Sequence, residues 1–95
     1  MARILVEKHF DPPISQEKWD QDLAVGIPCH TAHNVYWIRS MMSRDRTKVI
    51  CEFEAPDTET VQRSFRKANL PFVRIWSIDV IEPSAATLKV SPWPL

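Results

Sequence analysis

The chain reads as an α+β fold of six elements in the order βαββαβ, and three observations lead there. Two segments place apolar residues at helical spacing behind good N-cap residues, Ser15 and Asp57. Four other segments are alternating or β-branched, near residues 3–10, 34–43, 47–55 and 73–81. The second and third of these are separated only by Arg44-Asp45-Arg46, which makes them a hairpin.

The first strand runs through Ile4, Leu5 and Val6 and stops at Asp11-Pro12-Pro13, since proline cannot donate to a ladder. Ser15 then caps the first helix, with Glu17 suited to its dipole and Trp19, Leu23, Gly26 and Ile27 forming the apolar stripe. Continued at helical pitch, that stripe has His30 in its middle and Cys29 and His33 along one border. Pro28 removes the hydrogen bond to Ala24, so the helix is expected in two pieces, 15–26 and 28–33. In the second strand Val35, Trp37, Arg39 and Met41 alternate with Tyr36, Ile38, Ser40 and Met42. In the third, Val49, Cys51 and Phe53 alternate with Ile50, Glu52 and Glu54. Asp57 caps the second helix, whose stripe is Val61, Phe65 and Ala68 and whose left-handed end is expected at Asn69. Right-handed crossovers then give a ferredoxin-like two-layer sandwich with an antiparallel sheet in the order 4-1-3-2. Residues 1–82 form that domain, and residues 83–95, with prolines at 83, 92 and 94, form an arm that Trp93 would dock on this chain or a partner.

Ninety-five residues fit one small domain, for which oligomerisation is a natural way to bury more surface. Twelve basic and twelve acidic side chains cancel, so there is no electrostatic case for nucleic acid. No apolar run approaches membrane-spanning length, and the first residues lack the features of an export signal. The expected setting is the cytoplasm, with Cys29 and Cys51 as reduced thiols.

Chemistry concentrates at two places. Cys29, His30 and His33 fall within five residues where helix gives way to strand. Topology is expected to bring Glu54 beside them, with Cys51 one pleat deeper. Imidazole and thiolate donors suit nickel, zinc or copper better than magnesium or calcium. The other place is the sheet face that neither helix covers. Leu5, Trp37 and Ile50 are expected there among Glu7, His9, Arg39 and Glu52, a mixture that fits two copies enclosing a small cavity. Glu7 and His9 would be its acid–base groups, with Trp37 and Arg39 completing a pocket for a small-molecule ligand. For Arg39 and Glu52 the favoured reading is a routine cross-strand ion pair. No organic cofactor is indicated, and whether any reaction is catalysed is open.

Leu5-Val6-Glu7, then Cys29, His33, Val35, Trp37 and Ser40, then Cys51, Glu54-Ala55-Pro56, and finally Ala68 and Leu70-Pro71 complete a pattern. It resembles a family of small bacterial domains of largely unassigned function, with a dimeric ferredoxin-like fold and nickel-binding members. The match covers residues 3–82 and leaves the arm outside. It implies a homodimer of the dimeric α/β-barrel type, nickel (or zinc) as the metal, and Cys29, His33, Cys51 and Glu54 as the matched ligand positions. Pro28 and His30 depart from the family's pattern.

Overall fold

The computed structural model describes residues 1–84. Its elements are β1 (Ala2–His9), α1 (Gln16–Ala32), β2 (Tyr36–Met42), β3 (Lys48–Ala55), α2 (Thr58–Lys67) and β4 (Arg74–Ile78). The four strands form one sheet in the order β2-β3-β1-β4, with every neighbouring pair antiparallel. Both crossover connections are helical, and the two helices lie on one face of the sheet. The order expected from chirality and element sequence is the order observed. Of the Pro-rich arm, residues 85–95 lie outside the described residues.

Local chemistry sets the element ends. The Ser15 hydroxyl accepts from the Lys18 amide at 3.1 Å, and Asp57 accepts from the Thr60 amide at 2.7 Å, so both helices begin where a capping side chain satisfies an otherwise unpaired donor. Asn69 takes the left-handed conformation (φ 58°) after α2, and Asn34 does the same (φ 60°) after α1. In the hairpin turn, Asp45 accepts from the Ser43 hydroxyl, the Thr47 amide and the Thr47 hydroxyl, and those bonds hold its carboxyl down at about 2.

Two expectations need correction. The first helix is continuous from Gln16 to Ala32 with Pro28 inside it, not split at residue 27. Pro28 is exposed, so its missing amide costs a hydrogen bond on the wet side of the helix while packing on the other side holds the axis. The fourth strand is also shorter than 73–81, ending at Ile78.

The core lies between sheet and helices. Ile4 and Val6 of β1, Val49, Cys51, Phe53 and Ala55 of β3, and Val61 and Phe65 of α2 are all buried, together with Val35 just before β2. His30 joins them from α1, stacked on Phe65 with ring centroids 4.5 Å apart and edge-on to Phe53 at 5.3 Å. Its place in the middle of the α1 stripe is what puts an imidazole in the interior.

Candidate functional site

The two ends of α1 and the bare sheet face hold the polar side chains of interest. At the C-terminal end of α1, Cys29 and His33 are one helical turn apart and both partly buried. The His33 Nδ1–H donates to the Cys29 carbonyl at 2.8 Å, which fixes the ring and leaves Nε2 as its free donor atom. The Cys29 sulfur lies 4.0 Å from His33 Nδ1 and donates weakly to the Ser64 carbonyl of α2 at 3.6 Å. The proline between Gly26 and Cys29 therefore does not prevent the helical approach of these two side chains.

The other residues expected at this pole are placed elsewhere. His30 turns inward, and its Nδ1 shares a 2.5 Å hydrogen bond with the Ser64 hydroxyl. Burial, then the charges of Lys8 and His33, push its pKa down to about 4, so it is neutral at ordinary pH. Cys51 sits in the core and accepts from the Ser40 hydroxyl at 3.0 Å, which in turn accepts from the Trp37 indole at 2.9 Å. Burial pushes the Cys51 thiol up, partly opposed by that hydroxyl and by Lys8. A thiol that resists ionisation is a poor metal ligand. Glu54 pairs across the sheet with Arg3 and Tyr36 and points to the bare face, away from α1. Among the described residues no three His, Cys, Asp or Glu side chains gather closely enough to hold a metal ion. The expected meeting of Cys29, His33, Cys51 and Glu54 is corrected to a pair, because successive strand residues alternate faces and Glu54 takes the outer one.

On the bare face, β1 contributes Arg3, Leu5, Glu7 and His9, and β3 contributes Ile50, Glu52 and Glu54. A bulge in β2 between Trp37 and Arg39 changes what that strand adds. Trp37 pairs with inward-facing Phe53, whereas Arg39 pairs with outward-facing Glu52. Trp37 is therefore on the helix side, a correction that simple alternation could not foresee, because one extra residue resets the pleat. β4 places Arg74, Trp76 and Ile78 outward and Ile75 inward.

Charges on this face are paired in two groups. Glu52, almost entirely buried, is held by Arg3 and by Arg39, the latter at 3.2 Å. Glu7 lies 2.6 Å from His9 Nε2 and 3.1 Å from Arg74. The hydrogen bond to His9 and the charge of Arg74 outweigh partial desolvation and lower the pKa of Glu7. Glu7 is thus a carboxylate already engaged, suited to orienting His9. The Arg74 guanidinium lies 4.2 Å above the Trp76 ring. Trp76 and the exposed Tyr36, which pairs with outward-facing Glu54, are the aromatic residues this face presents.

An antiparallel βαββαβ sandwich with one bare sheet face and a thiol–imidazole pair at a helix end is a small ferredoxin-like domain. More narrowly, residues 5–78 match the family described as "Nickel responsive protein SCO4226-like", and the chain belongs to that family. Among solved structures it is similar to SCO4226 from Streptomyces coelicolor A3(2), with a TM-score of 0.76 and 17% identity, over 85% of this chain and 100% of that one. At that identity the likeness shows the fold. No match was found among curated proteins.

Proposed function

We propose that this protein is a small homodimeric nickel-binding protein without a catalytic reaction, and that His33 Nε2 and the Cys29 thiolate are the protein's donors. The observation that supports it most is the Cys29–His33 pair, with His33 oriented by a backbone carbonyl, in a family described as nickel responsive. A borderline-soft imidazole and thiolate fit nickel or zinc chemically. Two donors make an incomplete shell, so water completes it and the metal exchanges readily, as a response to changing metal level requires. The setting is the cytosol, where both thiols stay reduced. No described helix is long and apolar enough to cross a membrane.

Calorimetric titration of metal-free protein with nickel and with zinc tests this reading. Binding is expected for wild type, with loss in both His33→Ala and Cys29→Ser. Absence of heat with either metal, or unchanged binding in both variants, rules it out.

A second reading rests on the 2.6 Å contact between Glu7 and His9 on the bare face. If two copies face each other there, Glu7, His9 and Arg39, with Trp76 in place of the expected Trp37, would line a pocket for a carrier or enzyme. A dimer structure with the two sheets in tight contact and no void between them excludes it.

A further inference from the structure

Apart from both of those sites, a groove of about 630 Å³ lies between the β1–α1 loop and the α2–β4 loop. Phe10, Pro12, Pro13 and Ile14 form one wall, and Leu70 and Pro71 form the other. The charges in its lining offset one another. Lys8 and Lys18 stand with Asp11 and Asp22, and Asp22 is bound to Lys18 at 2.9 Å. His9 is engaged with Glu7 at 2.6 Å. A groove with proline and aliphatic walls and no excess charge suits an uncharged aromatic or aliphatic group.

The edge of the sheet leads to this groove. β4 is the outer strand on its side, and no described strand pairs with its free edge. Its first residue, Arg74, pairs with Glu7, and the Val73 amide just before it donates to the Glu7 carbonyl at 2.7 Å. β4 therefore begins beside the Leu70–Pro71 wall. Its last residue, Ile78, pairs with Arg3 at the opposite pole. A segment that turned back there and ran along the free edge of β4 would arrive at the groove. Val73 and Val80, at either end of that route, are exposed apolar residues. Along β1 the distance from Arg3 to Phe10 is about 23 Å, and the fifteen residues from Ile78 to Trp93 span up to about 50 Å when extended.

Residues 85–95, outside the described residues and beyond the family match that ends at residue 78, have the composition for this route. Thr87-Leu88-Lys89-Val90 alternates as an edge strand does, and Lys89 is the single charged side chain of the arm. Pro92 and Pro94 cannot donate to a ladder, so pairing along β4 would stop ahead of Trp93. We propose that Ser91-Pro92-Trp93-Pro94-Leu95 seats in the groove of its own chain, with the Trp93 ring against Pro12, Leu70 and Pro71. Asp11 and Asn69 in the lining supply acceptors for the indole N–H. The groove is at the opposite end of α1 from Cys29 and His33, so arm docking and nickel binding succeed or fail independently.

NMR on the full chain tests this. The wild-type Trp93 indole N–H is expected to show nuclear Overhauser contacts to Pro12, Leu70 and Pro71. It is also expected to exchange with water at least about tenfold more slowly than in a free peptide of residues 91–95. Trp93→Ala is expected to shift the backbone amides of Phe10, Ile14, Asn69 and Leu70 and to leave those of the bare sheet face in place. Pro71→Asp, which puts a charge on an exposed wall residue, is expected to return the indole to free-peptide exchange while amides away from the groove keep their shifts. A wild-type indole that exchanges as fast as in the free peptide overturns the proposal. So do Trp93→Ala shifts centred on the bare face, and contacts that appear only between differently labelled chains in a mixed sample, which would seat the arm in a second copy.

Discussion

His30 is wedged between Phe53 and Phe65 with Nδ1 on the Ser64 hydroxyl, so the fold selects its neutral form. Its folded pKa of about 4 lies below the ordinary 6.5. A histidine depressed in this way contributes stability that is complete above 6.5 and is lost as pH falls toward 4, because the unfolded chain takes up the proton first. The size of the effect is about 3 kcal/mol. Urea denaturation across that interval is expected to show the decline, and a His30→Leu/Ser64→Ala double variant, which removes both hydrogen-bonding partners, is expected to lack it. An equally steep decline in the double variant would assign the effect to other groups. Ser64 matters here for a reason no periodicity reveals. It lies on α2, and only packing tells that its hydroxyl meets an imidazole 34 residues away.

Helix α1 contains two residues that a helix interior tolerates poorly, and each has a different explanation. Gly26 is buried, and a Cβ there would come 3.1 Å from His30 Nε2 and 3.0 Å from Leu70 Cδ1. The Leu70 end can move, but His30 is clamped by Ser64 and Phe65. Gly26→Ala is therefore expected to destabilise by about 1 kcal/mol in chemical denaturation, the overpacking cost exceeding the gain in helix propensity. Pro28 is exposed and serves no contact of this kind. Pro28→Ala restores the backbone hydrogen bond from residue 28 N–H to the Ala24 carbonyl and is expected to stabilise by about 1–2 kcal/mol, less than the full propensity difference because the unfolded chain also gains freedom. A loss of stability there would mean that the proline shapes the Cys29–His33 turn. The bulge in β2 is the corresponding irregularity among the strands. Nothing in Tyr36-Trp37-Ile38-Arg39 announces it, since either alternation places an aromatic residue inward. What decides is that Trp37 can donate to Ser40 and lie against the edge of the core while Arg39 reaches Glu52.

The helices cover one face of the sheet, and Leu5, Ile50, Met41 and Trp76 lie on the other among paired charges. Arg3 Nε is buried on that face without a partner. A second copy would cover these groups, so the proposed homodimer would meet through this face. Light scattering is expected to give a dimer for the wild-type protein and a monomer for Ile50→Lys, since a charge opposite its symmetry mate would have to be buried. A wild-type monomer, or an unchanged Ile50→Lys dimer, removes this interface.

From sequence alone followed the element order, both N-caps, the left-handed Asn69, the sheet order and the inward side of β1 and β3, because local propensity, period and chirality act within short windows or apply to every chain. Membership in the family was legible too, through Cys29, His33, Val35, Cys51 and the Glu54-Ala55-Pro56 turn. Tertiary structure alone decided which donors meet. It kept Cys29 with His33, set the His30 imidazole on the Ser64 hydroxyl, and turned Trp37 to the helix side of the sheet. Those outcomes depend on one extra residue in β2 and on packing between side chains distant along the chain, and no spacing in the sequence encodes either.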